Sequence, residues 1–175
     1  MKIVMRDGFA DSIENVWATV RDFGGLGRYF APVVECRLEG SGVGARRIVT
    51  LRTPTGAEAI VVERLDELDD QARRMSYSIP DATGFPFRDG YVGIMQLKRV
   101  GDSRCELEWT GLIEAPEGVS DNVTQEFLRS VYATGFAGLK ILHGDGALLP
   151  SISEGSIPES SIAGRGTLLS GGKWK

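Results

Sequence analysis

Apolar and polar residues alternate weakly over residues 2–10, the two-residue period of a strand. The period then lengthens. Ile13, Val16, Trp17 and Val20 recur at three- and four-residue steps, which predicts a short amphipathic helix over 12–21. Asp11 or Ser12 offers the side-chain oxygen that caps such a start. Gly24-Gly25 breaks the helix before one further turn over 26–30. From Val33 to Ile113, short runs rich in Val, Ile, Leu and Tyr alternate with turn residues. They predict strands near 33–39, 44–52, 57–67, 72–79, 90–99 and 104–113. The separators Gly40-Ser41-Gly42, Pro54-Thr55-Gly56, Asp69-Asp70 and Gly101-Asp102 are short, which favours an antiparallel meander. The loop 80–89 is the longest connection and the most apolar, with Gly84, Phe85, Pro86 and Phe87, and suits the rim of a site. After Ala115-Pro116-Glu117-Gly118, the residues Val123, Phe127, Leu128, Val131, Phe136, Leu139 and Leu142 predict a long helix from Ser120 to Leu142, ended by Gly144 and Gly146.

Composition changes at that point. Residues 144–175 are rich in Gly, Ser and Pro, so the chain reads as one folded domain, 1–143, followed by a tail, 144–175. Scattered Leu, Ile and Trp in the tail leave two readings open, a flexible extension or a strap packed on the body or on a neighbour. The whole is 175 residues with 42% hydrophobic and 25% charged positions, which excludes a wholly disordered chain. A net charge of −4 argues against a nucleic-acid footprint. No apolar run reaches the roughly 18 residues of a membrane span, and the N-terminus shows no secretion signal. Cys36 and Cys105 make no disulfide framework, so a reduced, cytoplasmic setting is expected. His143 is the only histidine, which excludes three-histidine zinc sites and histidine relays but not a nucleophile–histidine–acid triad. No metal or cofactor motif appears.

Strand, short helices, six strands and a long helix form an α+β pattern, and an antiparallel sheet can curl round such a helix. The chain resembles the START superfamily, also called SRPBCC. The residues that carry the likeness are Val16-Trp17-x-x-Val20-Arg21-x-Phe23, Tyr29-x-x-Pro32, Gly42-x-Gly44-x-Arg46-Arg47, Glu63-Arg64-Leu65-x-x-Leu68-Asp69-Asp70, Tyr91, Trp109, and Ala115-Pro116-Glu117-Gly118 with Phe127 and Val131. The resemblance covers about residues 3–142. It implies a helix-grip fold: a curved, seven-stranded antiparallel sheet wrapped round the C-terminal helix, with two short helices after the first strand. The polyketide cyclase/dehydrase-like branch is the most similar. The plant abscisic acid receptors also resemble it, but Val34, Trp109 and Gly135 stand where those receptors hold their ligand with a lysine, a glutamate and an asparagine.

The resemblance implies which side chains look inward: Arg46, Ile48, Thr50, Val61, Glu63, Tyr77, Ile79, Tyr91, Gly93, Met95 and Trp109 on the strands, and Phe127, Val131 and Gly135 on the helix. The helical three are four residues apart and share a face on spacing alone. A one-residue slip would invert any one strand. This mostly apolar lining suits a neutral, aromatic or apolar molecule. Glu63 is the acid/base candidate, with Tyr91, Tyr77 and Arg46 as hydrogen-bond donors to a developing enolate. The competing reading is a cross-strand ion pair between Arg46 and Glu63. Two functions stay open: a cofactor-free cyclase or lyase of specialised metabolism, and a non-catalytic carrier or sensor of a hydrophobic metabolite or lipid. A homodimer is left open as a partner state. His143 is expected to cap the last helix or lie at the surface. The acidic run Asp66, Glu67, Asp69 and Asp70 is expected to be a solvated turn.

Overall fold

The computed structural model describes residues 1–81 and 85–146. Seven strands form: β1 (Lys2–Phe9), β2 (Val33–Glu39), β3 (Arg46–Arg52), β4 (Glu58–Asp69), β5 (Arg74–Ile79), β6 (Tyr91–Gly101) and β7 (Arg104–Leu112). Between β1 and β2 lie α1 (Ile13–Val20) and a 3-10 helix (Phe23–Arg28), and α2 (Asp121–His143) follows β7. The strands pair antiparallel in the order β1-β7-β6-β5-β4-β3-β2. Consecutive strands β2 to β7 are neighbours because each connection is too short for a crossover. The first strand closes on the last. The fold is α+β with the helix-grip arrangement, a curved sheet holding one long helix.

Local chemistry sets the helix ends. The Ser12 hydroxyl accepts the Asn15 N–H at 3.2 Å, and the Ser120 hydroxyl accepts the Val123 N–H at 3.4 Å. Gly144 closes α2 at φ 76°, a left-handed conformation open to glycine, with its N–H on the Lys140 carbonyl at 2.8 Å. The chain does not leave the domain there. Asp145 bridges Phe9, the Gly146 N–H bonds the Gly8 carbonyl at 3.1 Å, and the Arg104 guanidinium bonds the Gly146 carbonyl at 3.0 Å. The folded unit thus runs three residues beyond the expected boundary at 143. The rest of the expected tail, and with it the strap reading, lies outside the described residues.

The core lies between the sheet's concave face and α2. Leu128, Tyr132, Phe136 and Leu139 are buried on the helix, while Val123 and Leu142, expected on the same face, are exposed. Phe136 stacks on Phe9 at 6.4 Å between ring centroids and meets Trp109 edge-on at 5.9 Å. The helix backs directly onto the chain after the 3-10 helix. A Cβ at Gly138 would lie 1.7 Å from the Tyr29 carbonyl oxygen. Among the described residues, no helix is long and apolar enough to cross a membrane.

His143 departs from expectation. Its side chain is 8% exposed and ties two elements together. Nδ1 lies 2.8 Å from Asp11 Oδ2, and Nε2 lies 2.9 Å from the Thr19 hydroxyl. The end of α2 is thereby fastened to α1. Carboxylate, imidazole and hydroxyl stand in the order of a hydrolytic triad, but Thr19 is buried, so no substrate carbonyl reaches it. Burial acts to raise the Asp11 pKa. Hydrogen bonds from His143, Asn15 and the Ser12 N–H outweigh it and hold the carboxyl below its ordinary 3.8.

Two outcomes follow from these joints. Gly138→Ala drives a methyl into backbone that no rotamer change can move, so thermal unfolding should show a loss of at least about 2 kcal/mol. A melting temperature equal to wild type would contradict the close approach. The second concerns Asp11, whose lowered pKa adds stability above about pH 4 that is lost as pH falls through the lowered value. Urea unfolding of Asp11→Asn beside wild type from about pH 2 to 7 should give a gap that is widest at the upper end and closes in acid.

Candidate functional site

A cavity of about 100 Å³ lies between α2 and the concave face of β3 to β7. Its inner wall is made by Arg47, Val49, Val61, Glu63, Tyr77, Ile79, Tyr91 and Trp109 from the strands, with Leu26 and Phe30 from the segment after α1. Phe87 and Leu128 cover it, and the half-buried Leu51, Phe85, Phe127 and Val131 stand at its outer end. Phe85, Phe87 and Phe127 pack on one another with centroids 5.3 to 6.4 Å apart. From the apolar loop, Phe85 and Phe87 line the site. Phe87 also reaches inward to Tyr91 at 5.5 Å.

Strand phase decides which predicted residues meet. On β4, β5, β6 and β7 the expected faces are the observed ones. Val61, Glu63, Tyr77, Ile79, Tyr91 and Trp109 all line the cavity. On β3 the phase is inverted. Arg46 is exposed, and Ile48 and Thr50 lie on the outer face, whereas Arg47, Val49 and Leu51 look inward. The register explains it. In the β3–β4 hairpin Arg47 stands directly opposite Glu63, and opposed residues of antiparallel strands share a face. The sequence held two signals for this. A hairpin centred on Thr55 puts 47 across from 63, and Val49 with Leu51 is the more apolar alternate set.

The glycines are filled rather than empty. A Cβ at Gly93 would lie 2.3 Å from the Tyr77 ring, and one at Gly135 would lie 2.6 Å from Trp109. Each makes room for an aromatic ring, so neither side adds cavity volume. Met95 is buried away from the lining. Phe127 and Val131 line the outer end only, because the buried stripe of α2 runs through Leu128 and Tyr132.

Two polar groups define the inner wall. The first is the Arg47–Glu63 ion pair, with side chains 3% and 10% exposed. Arg47 Nε donates to Glu63 Oε2, and Nη1 donates to the Phe23 carbonyl at 3.0 Å. The guanidinium lies 4.3 Å from the Phe23 ring centroid and 5.2 Å from that of Tyr77. Burial works against the charged guanidinium, but the Glu63 charge in contact with it prevails and raises its pKa. The expected pair between Arg46 and Glu63 does not form; Arg47 is the partner of Glu63. The second group is a hydroxyl chain. Trp109 Nε1 donates to the Tyr77 hydroxyl at 3.1 Å, which lies 3.4 Å from the Tyr91 hydroxyl, itself 2.7 Å from that of Tyr132. Tyr132, which the sequence reading missed, is fully buried and stacks on Trp109 at 4.5 Å. Burial pushes all three phenols upward, helped at Tyr77 by the Glu63 charge and at Tyr91 and Tyr132 by Tyr77. They are neutral hydrogen-bonding groups, and none is a phenolate base.

Residues 9–143 match the family model described as polyketide cyclase/dehydrase and lipid transport. The chain belongs to this family. Solved structures agree on the fold. An uncharacterised protein of Bacillus thuringiensis is 24% identical with a TM-score of 0.70, over 81% of this chain and 98% of that one. The protein XoxI of Bacillus cereus is 24% identical with a TM-score of 0.68, over 81% and 94%. A protein of Thermobifida fusca is 26% identical with a TM-score of 0.66, over 79% and 89%. No curated protein matches the chain significantly.

Other candidates of this family member sort as structural. Cys36 is on β2 and Cys105 on β7, near opposite edges of the sheet, and both are free. Burial, then the Asp11 charge, pushes the Cys105 thiol up to about 11, which removes thiolate character near neutral pH. In the acidic run, Asp66 pairs with Arg64, Glu67 with Arg74 and Asp70 with Arg21, while Asp69 accepts two backbone N–H groups of its own turn.

Removing one partner of the buried pair strands the other. Glu63→Gln should cost about 3–5 kcal/mol in chemical denaturation, whereas the double variant Arg47→Met/Glu63→Leu should recover most of it. Arg46→Ala, on the outer face, should change stability by less than about 0.5 kcal/mol.

Proposed function

We propose that the chain binds a small apolar or aromatic molecule in the cavity under α2, as a carrier or sensor of such a metabolite. The observation that carries this reading is the lining: aliphatic and aromatic side chains, with a single ion pair and a hydroxyl chain at the inner wall. That is the make-up of a small-molecule site, in which a few placed polar groups fix orientation. The size narrows the class. An engineered apolar cavity of about 150 Å³ accepts benzene. At about 100 Å³ this one suits a single ring or a short chain.

Glu63 favours binding over catalysis. A general base needs a carboxylate oxygen free for the substrate proton; Oε2 is held in the ion pair with Arg47, which leaves Oε1 alone for that role. A specific feature supports cyclase-like turnover as the second reading. Tyr77 and Tyr91 line the cavity, and the hydroxyl chain they share has one proton left over, a donor of the kind that stabilises an enolate. In that reading the second oxygen of Glu63 takes the proton alpha to the carbonyl, and the substrate is a compact ketone of specialised metabolism.

Native mass spectrometry of freshly purified protein, followed by extraction, tests the binding reading. The expected result is a mass increment from a compound of about one ring that leaves on denaturation. An apo mass, together with no uptake of ring-sized probes such as toluene, would show the cavity to be closed core.

A further inference from the structure

The unused hydrogen-bonding capacity at the inner wall specifies more than size. Trp109 N–H is taken by Tyr77. Arg47 points its charge at Glu63, one further donor at the Phe23 carbonyl, and its face at two rings. Glu63 Oε2 accepts from Arg47, but among the described residues nothing donates to Glu63 Oε1, and Glu63 lines the cavity. The three tyrosine hydroxyls form two contacts in a row. Three protons serve two links, so one phenolic proton is left over in any arrangement. Among the described residues the strong acceptor left open at the inner wall is therefore Glu63 Oε1, beside one leftover phenolic proton.

We propose that the ligand is a neutral single-ring phenol whose hydroxyl donates to Glu63 Oε1, with its ring among Tyr91, Phe87 and Leu128. This rests on the binding reading above and names its ligand class. Each alternative fails on a stated ground. A carboxylate would enter beside the Glu63 charge, and Arg47, the one cation of the lining among the described residues, is already neutralised, so the buried charge would be uncompensated. An ammonium group has the same fault with the opposite sign. A ketone accepts only and leaves Oε1 unpaired, and a hydrocarbon does the same. A hydroxyl donates, which meets the open Oε1 without adding a charge. An aromatic ring suits the surrounding rings, which meet partners by edge and offset contacts.

Calorimetric titration of the full chain with 4-methylphenol, toluene and 4-methylbenzoate tests this, since the three share a ring and a methyl. The expected result is that 4-methylphenol binds about tenfold or more tighter than toluene, and that 4-methylbenzoate does not bind. Equal affinity for toluene and 4-methylphenol, or preference for the benzoate, overturns the phenol assignment and leaves the binding reading standing. Binding of none of the three overturns both. The Arg47→Met/Glu63→Leu variant, which keeps the core filled without a lone charge, should bind toluene and lose the preference for the phenol. If it keeps the preference, Glu63 is not the acceptor.

Discussion

A buried carboxylate with no partner would either neutralise or unfold its surroundings. The contact between Arg47 and Glu63 prevents both, and much of the site's character depends on it. The pair places two charges inside a wall that is otherwise hydrocarbon and ring. It depends on the β3–β4 register, which stands the two side chains directly opposite. It also anchors the 3-10 helix segment, whose Phe23 carbonyl and ring hold the rest of the guanidinium. A pair of zero net charge then makes the cavity a place for neutral molecules.

The aromatic side of the site is built by subtraction. Gly93, Gly111 and Gly135 carry no Cβ where Tyr77, Tyr132 and Trp109 lie against the backbone. Three large rings thus fit between sheet and helix with their polar atoms joined in one chain through the Tyr91 hydroxyl. Ring packing rigidifies the hydroxyls, and the hydroxyls satisfy one another away from water. The cavity is the space left over, which is why it is small. Polar network and cavity size are two results of the same packing.

Much of the fold was legible in the chain because its signals are local. Ser12 and Ser120 cap helices whose apolar spacing is unbroken, and every predicted strand lies between turn residues. The inward faces of β4 to β7 were also legible, through the likeness of Glu63, Tyr91 and Trp109 to the helix-grip family. The face of β3 was not. Arg46-Arg47-Ile48-Val49-Thr50-Leu51 presents a basic residue in either phase, so only weak signals choose, the hairpin centre at Thr55 and the somewhat more apolar set of Val49 and Leu51. Likewise Phe127 and Leu128 are both apolar, and a face drawn through 127, 131 and 135 misses Tyr132 by a small rotation of the helix. His143 looked like a helix-end cation because Asp11 and Thr19 are far away in sequence.

The sequence by itself determined the element order, the antiparallel meander and the family, because period, caps and short turns act over a few residues. The tertiary structure decided which arginine meets Glu63, where the sequence held only a weak signal, and it alone decided that the glycines hold rings instead of ligand and that His143 fastens α2 to α1. Those outcomes depend on strand register and on how far a helix rotates against a sheet. Both are set by the sum of contacts between segments distant in the chain, and no local pattern encodes that sum.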